Sequence, residues 1–156
     1  MLKRLFPAQF DNRFDGQRAA LWLLVLLTAL TLIVSVNSIF NTTSVAVGAD
    51  GLPLDSFSPA AARTILMLFS LDAVGQLALS LIALAALVRY RAMVPFIYLL
   101  VLGEQLARRF ILQSYAVPRA PTEPAVPYIV FGVLVLVALG LVLSLLPARQ
   151  RHSAEI

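Results

Sequence analysis

The chain of 156 residues is short enough for a single domain, and its composition excludes an ordinary soluble protein. Hydrophobic residues make up 60% of it, charged residues only 13%, and the mean hydropathy is +0.90, which is more apolar surface than a soluble core of this size takes up. The net charge of +4 comes from basic residues at the ends of apolar runs, so it indicates membrane topology rather than nucleic-acid binding. The absence of cysteine excludes disulfides and thiolate metal sites.

Residues 1–18 are predicted to form an amphipathic helix that lies in the membrane interface. Phe6, Phe10 and Phe14 recur at every fourth position, so a helix would gather the three rings on one face. Lys3, Arg4 and Arg13 would then contact lipid headgroups while the rings lie deeper. A basic tail without secondary structure is the alternative.

Four apolar segments follow, and each is long enough for a transmembrane helix: residues 19–39, 63–88, 93–116 and 127–147. The first has no charged residue and is longer than the apolar core of a cleaved signal peptide, which has about 7–15 residues. Before the second, Ser58 and Pro59 are typical of a helix N-cap followed by proline in the first turn. The segments predict an all-α fold, a four-transmembrane-helix bundle that forms one integral membrane domain.

The connections between the segments differ in character. Residues 41–57 are polar and contain no Lys or Arg. The turn at Arg89 and Arg91 is so short that the second and third spans must form an antiparallel hairpin. The last connection has prolines at 118, 121, 124 and 127, a period of three that is typical of polyproline II. We interpret it as a stiff spacer, with a docking strip for a partner as the alternative.

The distribution of basic residues predicts the orientation in the membrane. One side of the membrane would have only Arg63 and Arg119. The other side would have the remaining basic residues outside the spans: Lys3, Arg4, Arg13, Arg18, Arg89, Arg91, Arg149 and Arg151. By the positive-inside rule both termini are cytoplasmic. Abundant Arg, Ala and Leu favour a bacterial protein, and therefore the bacterial inner membrane.

The third segment contains polar residues whose transfer into hydrocarbon is expensive, since one Arg at a helix centre costs roughly 2.5–3.5 kcal/mol. Asp72 and Gln76 share a face of the second segment, and Asp72 and Glu104 lie at a similar depth, about 10 Å below the outer boundary. Because the second and third spans are adjacent, we predict one polar cluster in the outer half of the bundle, closed from the side by the end of the first span. Arg108 lies one turn beyond Glu104 on the same face of the third segment, and Gln105 pairs with Arg109 at the same spacing. The members of the cluster are Asp72, Gln76, Glu104, Gln105, Arg108, Arg109 and Asn37.

Two interpretations of this cluster compete. In the structural interpretation, two acids pair with two bases and fix the register of the helices. In the functional interpretation, Arg108 and Arg109 hold an anion or a lipid headgroup near the outer leaflet. The balance of charges favours the structural interpretation. A third possibility, that Asp72 and Glu104 act as an acid pair in proton abstraction or metal binding, is less favoured because charges in membranes usually pair with one another.

The chain lacks the residues of several familiar kinds of site. His152, the only histidine, lies in the tail, which excludes a histidine-based triad, an HExxH zinc site and a haem ligand pair within the membrane. No glycine-rich phosphate loop is present. We therefore predict no cofactor and no metal.

The runs VNSIF, GLPLDSF, VRYRAMVPFIYLL and EQLARR resemble those of small, uncharacterised four-helix inner-membrane proteins of bacteria. This resemblance covers most of the chain and implies no activity and no site residue. In length, helix number and intramembrane Arg and Glu, the chain also resembles the membrane-associated glutathione and eicosanoid enzymes. That second resemblance is at the level of the fold and transfers no residue.

The sequence favours a non-enzymatic membrane protein, an accessory or scaffold subunit that packs against itself or a larger membrane complex within the lipid bilayer. The alternative is binding or transport of a small amphipathic anion or lipid, with Arg108 and Arg109 as the contacts. A transferase similar to the glutathione enzymes is the third hypothesis.

Overall fold

The computed structural model describes residues 5, 6, 9, 11–115 and 125–147, and within these ranges the chain is helical without a β-strand. Five α-helices have their bounds within these ranges: α1 (Arg18–Phe40), α2 (Thr42–Gly48), α3 (Pro59–Val88), α4 (Val94–Ser114) and α5 (Ala125–Leu145). Two 3₁₀ turns, Leu54–Ser56 and Arg91–Met93, precede α3 and α4. The all-α prediction is confirmed, and the long helices begin and end within a few residues of the predicted segments.

Helices α1, α3 and α5 are long and apolar enough to cross a membrane. Their outward surfaces carry large apolar side chains that are mostly exposed, such as Trp22, Leu68 and Phe131. This distribution supports the prediction of a membrane protein with transmembrane helices. Helix α4 has 21 residues but contains Glu104 and two arginines, so its composition alone does not identify it as a span.

Helix α1 packs most extensively against α3, and it also packs against α5. The buried residues of α1 and α3 include many small side chains, namely Ala20, Thr28, Ser35, Ser38, Ala73, Ser80, Ala83 and Ala86. Small side chains let two helix backbones approach closely, which replaces the hydrophobic driving force that is missing between helices in lipid. Helix α4 packs mainly against α5 and contacts α3 much less.

Tyr98 of α4 joins three helices. Its side chain is fully buried, and its hydroxyl donates a hydrogen bond of 2.7 Å to the carbonyl oxygen of Ala20 in α1. Its ring lies against Gly140 of α5, where an added Cβ would collide with the ring. Helices α4 and α5 therefore fit closely at Gly140. At Gly132, earlier in the same helix, an added Cβ meets nothing within 4 Å.

The two ends of the helices are distinct. We call the end with the Arg91–Met93 turn the hairpin end. The start of α1 lies there too, and the Gln17 amide donates a hydrogen bond of 3.1 Å to the Leu143 carbonyl of α5. We call the end with residues 41–57 the loop end. There the predicted N-cap is confirmed, because Ser58 Oγ accepts a hydrogen bond from the Ala61 amide at 3.3 Å.

The prediction of an amphipathic helix over the first 18 residues is wrong for its second half. Residues 11–17 contain no helix, so a helical face does not extend from Phe6 to Phe14. Phe14 instead packs against the buried core, close to Gly16. Competing tertiary contacts at the hairpin end, including the bond from Gln17 to Leu143, account for the non-helical backbone. Residues 1–4, 7, 8 and 10 of this segment lie outside the described ranges.

The polar stretch 41–57 contains more structure than its composition suggests. Helix α2 follows α1 after one residue and buries Ala46 completely. The Thr42 hydroxyl lies 3.0 Å from that of Ser70, which connects this stretch to α3. Gly51 has a φ of 63°, a conformation that glycine adopts without strain. Residues 116–124 of the proline-rich connection and residues 148–156 fall outside the described ranges, while the last proline of the series, Pro127, lies in α5.

Candidate functional site between helices α3 and α4

The polar site is centred on the guanidinium group of Arg108. Its Nε donates to Glu104 Oε1 at 2.9 Å, one helical turn earlier on α4. Its Nη2 donates to both carboxylate oxygens of Asp72 on α3, at 2.9 Å and 2.8 Å. We call Asp72, Glu104 and Arg108 the Arg108 cluster. It connects α3 to α4 at a distance from the hairpin end. These two helices otherwise have few contacts with each other.

The side chains of the Arg108 cluster are only partly enclosed by protein. The exposed fractions are 33% for Arg108, 50% for Asp72 and 30% for Glu104. An ion pair this exposed contributes roughly 0–1 kcal/mol in water. An unpaired charge is more costly in hydrocarbon than in water. In a membrane the ion pair therefore matters mainly because it leaves Arg108 paired. The cluster therefore connects α3 to α4 through charge-assisted hydrogen bonds while adding little to stability in water.

Arg109 belongs to a different part of the molecule. Its Nη2 donates to the carbonyl oxygen of Val130 in α5 at 3.1 Å. Its Nε is buried and has no hydrogen-bond partner among the described residues. The expected pairing of Arg109 with Gln105 is absent from the described part of the chain. The four charges thus do not form one neutral group: two carboxylates and one guanidinium leave the Arg108 cluster with a formal charge of −1.

A cleft lies next to the Arg108 cluster, on its hairpin side, between α1, α3 and α4. Its cavity volume is about 40 Å³, and a single water needs roughly 10–15 Å³. The cleft therefore has room for a few waters or for a small organic group. Its lining residues are Leu24, Leu27, Thr28, Thr31, Gln76, Leu79, Ser80, Ala83, Tyr98, Val101, Glu104 and Gln105.

The polarity of the cleft changes along its length. Leu24, Ala83 and Tyr98 line it toward the hairpin end, and the Tyr98 hydroxyl is already bonded to the Ala20 carbonyl. Gln76, one turn from Asp72, and Glu104, a member of the Arg108 cluster, line it toward the loop end. We call this loop-end part of the cleft its polar mouth and the hairpin-end part its apolar floor.

Several polar groups of the cleft have no partner within the described ranges. The side-chain amides of Gln76 and Gln105 make no hydrogen bond there. Thr28 is only 4% exposed, and its Oγ1 is unpaired. Thr31, by contrast, donates to the Leu27 carbonyl at 2.9 Å. The cleft therefore contains hydrogen-bonding capacity that the protein itself does not use.

Asn37 lies apart from the other predicted site residues. Its Oδ1 accepts a hydrogen bond of 2.8 Å from Asn41 Nδ2. It lines a shallow groove formed by α1 and Asn41, not the cleft. The structure thus brings Asp72, Glu104 and Arg108 together, places Gln76 and Gln105 beside them, and separates Arg109 and Asn37 from them.

Sequence reasoning missed the contribution of α1 to this site. Thr28, Thr31, Ser35 and Ser38 recur at intervals of three or four residues, so they form one polar stripe on an otherwise apolar helix. That pattern was visible in the sequence. Within the part of the chain that the structure describes, no three His, Cys, Asp or Glu side chains group as metal ligands.

No protein-family model matches the chain, and neither a curated protein nor a solved structure matches it. The site is therefore interpreted from its own geometry. That geometry provides one ion-paired connection between helices and one small cleft with a polar mouth.

Proposed function

We propose that the protein is a non-enzymatic accessory or scaffold subunit of the bacterial inner membrane, with four spans and both termini in the cytoplasm. One observation carries the proposal: the Arg108 guanidinium is occupied by two carboxylates, from Asp72 and Glu104. A charged group used in this way positions helices and is not free for a reaction.

The surroundings of α4 support a fourth span. Its 21 residues would measure about 32 Å, close to the thickness of a hydrocarbon core of about 30 Å. Arg108 and Arg109 bond to groups on α3 and α5, while Leu106 and Phe110 at the same level are exposed. A helix that turns its charges toward protein and its apolar side chains outward is suited to lipid.

The exposed surface supports a role in assembly. Large apolar side chains are exposed along all four long helices, for example Ile33, Leu71, Phe110 and Ile129. Such a surface is covered by lipid or by the helices of a partner protein.

The alternative of anion binding by Arg108 and Arg109 is less well supported. Adjacent residues of an α-helix point about 100° apart, and these two guanidinium groups donate to different helices. One anion between them would displace Asp72 and Glu104. The transferase hypothesis has no supporting geometry within the described residues.

Native mass spectrometry after gentle extraction from the membrane of origin tests the proposal. We expect a second protein in stoichiometric amount. A chain recovered only alone would contradict the proposal, and a chain recovered only with copies of itself would exclude the accessory role and leave only a homo-oligomeric scaffold. The same measurement on the Asp72→Asn, Arg108→Gln double variant shows whether the Arg108 cluster determines this association; unchanged association would mean that it does not.

A further inference from the structure

We infer that the cleft beside the Arg108 cluster binds a small organic cation, namely a primary alkylammonium ion with a short apolar chain. This inference goes beyond the scaffold role and does not depend on it. It rests on the charge of the site, on its unused hydrogen-bond acceptors and on the shape of the cleft.

The charge of the site favours a cation. Asp72 and Glu104 share a single guanidinium, so the Arg108 cluster has a formal charge of −1. The next basic group on α4, Arg109, bonds to Val130 of α5 and does not line the cleft. A net charge in a helix interface within a membrane is costly, and a bound monovalent cation would neutralise it.

The unused acceptors suit an ammonium group. Arg108 bonds to Oε1 of Glu104, and no hydrogen bond to Glu104 Oε2 occurs within the described ranges. The side-chain carbonyls of Gln76 and Gln105 are unpaired there as well. The buried Thr28 hydroxyl, also on the wall of the cleft, has no partner among the described residues. An ammonium group has three donors and no acceptor, so it complements carboxylate, amide and hydroxyl oxygens.

The shape of the cleft limits the apolar part of the ligand. Beyond the polar mouth the walls are formed by Leu24, Leu27, Leu79 and Val101. The cavity of about 40 Å³ corresponds to roughly three to four waters, which suits a short alkyl chain and not a second charged group. We therefore place the ammonium near Glu104 and the chain toward Tyr98.

The test is isothermal titration calorimetry of the full-length protein in an uncharged detergent. The probes are n-butylammonium chloride, 1-butanol and sodium butyrate, which share a chain length and differ in charge. We expect saturable binding of one butylammonium per chain and none of the other two. Absence of saturable butylammonium binding would overturn the inference. Butanol binding of equal strength would do so as well, since it would show that charge is not recognised, and tighter butyrate binding would favour the anion site.

Glu104→Gln tests the role of the carboxylate. We expect butylammonium affinity to fall by roughly tenfold to a hundredfold, as for loss of a charge-assisted hydrogen bond. Asp55→Asn is the matched control, because it removes the same charge from an exposed position before α3, away from the cleft. Equal affinity of the Glu104→Gln variant and the unmodified protein would contradict the inference.

Glu104→Gln also removes one partner of Arg108, so a second variant addresses the cleft without changing any charge. Val101→Phe places a larger side chain in the apolar wall, and we expect butylammonium affinity to fall at least about tenfold. Leu106→Phe, on the exposed face of the same helix, should bind like the unmodified protein. Circular dichroism melting curves establish that each variant is folded. Normal binding by a folded Val101→Phe variant would exclude this cleft as the site.

Discussion

Arg108 and Arg109 are neighbours in the sequence and serve different helices. The α-helix turns about 100° between them, which directs Arg108 to Asp72 of α3 and Arg109 to the Val130 carbonyl of α5. The spacing of four residues correctly predicted the bond between Glu104 and Arg108. The same spacing suggested a bond between Gln105 and Arg109. Arg109 instead donates to a backbone carbonyl of the neighbouring helix α5. The spacing of residues along α4 contains no information about which carbonyl of another helix lies nearby.

At Gly140 an alanine would have no room, because its Cβ would collide with the buried Tyr98 ring. We expect Gly140→Ala to lower the free energy of unfolding by about 1–3 kcal/mol, as overpacking in cores does. Gly132→Ala is the control in the same helix, since its Cβ meets nothing within 4 Å. It should be neutral or stabilise by up to about 1 kcal/mol, because alanine favours helix. Thermal unfolding in detergent measures both, and equal melting temperatures would show that Tyr98 and Gly140 are not in tight contact.

Thr28 and Thr31 line the same cleft but differ in their hydrogen bonds. The Thr28 hydroxyl is buried and unpaired within the described ranges, whereas Thr31 donates to the Leu27 carbonyl. We expect Thr28→Val to leave the melting temperature of the ligand-free protein unchanged or higher, because a buried unpaired polar group is costly. Thr31→Val should cost about 0.5–1.5 kcal/mol through the lost hydrogen bond. A larger loss for Thr28→Val than for Thr31→Val would mean that the Thr28 hydroxyl is bonded in the folded protein.

Helices α3 and α4 are connected by a short turn at one end and by the Arg108 cluster farther along. Between these two connections the contact is sparse and the cleft lies open. The hairpin was predictable, since a turn of a few residues can only join antiparallel helices. The cleft was not predictable from the sequence. It exists because α3 packs mainly against α1 and α4 packs mainly against α5, which leaves α3 and α4 apart.

The Arg108 cluster should control the separation of α3 and α4 at the loop end. In Asp72→Asn we expect the distance between spin labels at Leu68→Cys and Leu112→Cys to increase and its distribution to broaden. The free energy of unfolding should change by less than about 1 kcal/mol, since the ion pair is half-exposed. Electron paramagnetic resonance measures the distance, and the cysteine-free sequence leaves no other site for the label.

A label pair near the hairpin, at Leu84→Cys and Leu100→Cys, is the control for this experiment. Both side chains are exposed. Their separation should be the same with and without Asp72→Asn, because the turn and the Tyr98 contacts hold that end. If the distance at the loop end is also unchanged, the Arg108 cluster does not position the two helices.

For the whole molecule, the proposed four spans make a specific prediction about the sides of the membrane. Single cysteines at Ser56, Tyr90 and Tyr115 occupy exposed positions in the loop before α3, in the hairpin and just after α4. In intact cells with a permeable outer envelope, a membrane-impermeant maleimide should label Ser56→Cys and Tyr115→Cys. Tyr90→Cys should react only after the inner membrane is broken.

The Tyr115→Cys variant shows whether α4 crosses the membrane, which the composition of this helix alone does not determine. Helix α4 separates Tyr90 from Tyr115, so the two cysteines are on opposite sides only if α4 crosses the membrane. Labelling of Ser56→Cys without Tyr115→Cys would mean that α4 does not span. Labelling of Tyr90→Cys alone would mean that the predicted orientation is reversed.

The sequence by itself determined the helical class, the limits of the long helices, the Ser58 cap and the bond between Glu104 and Arg108. Each of these follows from hydropathy, local spacing or capping, which act over a few residues of one helix. Only the tertiary structure decided the role of Arg109, the non-helical backbone around Phe14, the contact of Tyr98 with Gly140, and the cleft. These depend on which helices pack side by side, and in lipid that choice is made by close fit and hydrogen bonds between distant parts of the chain.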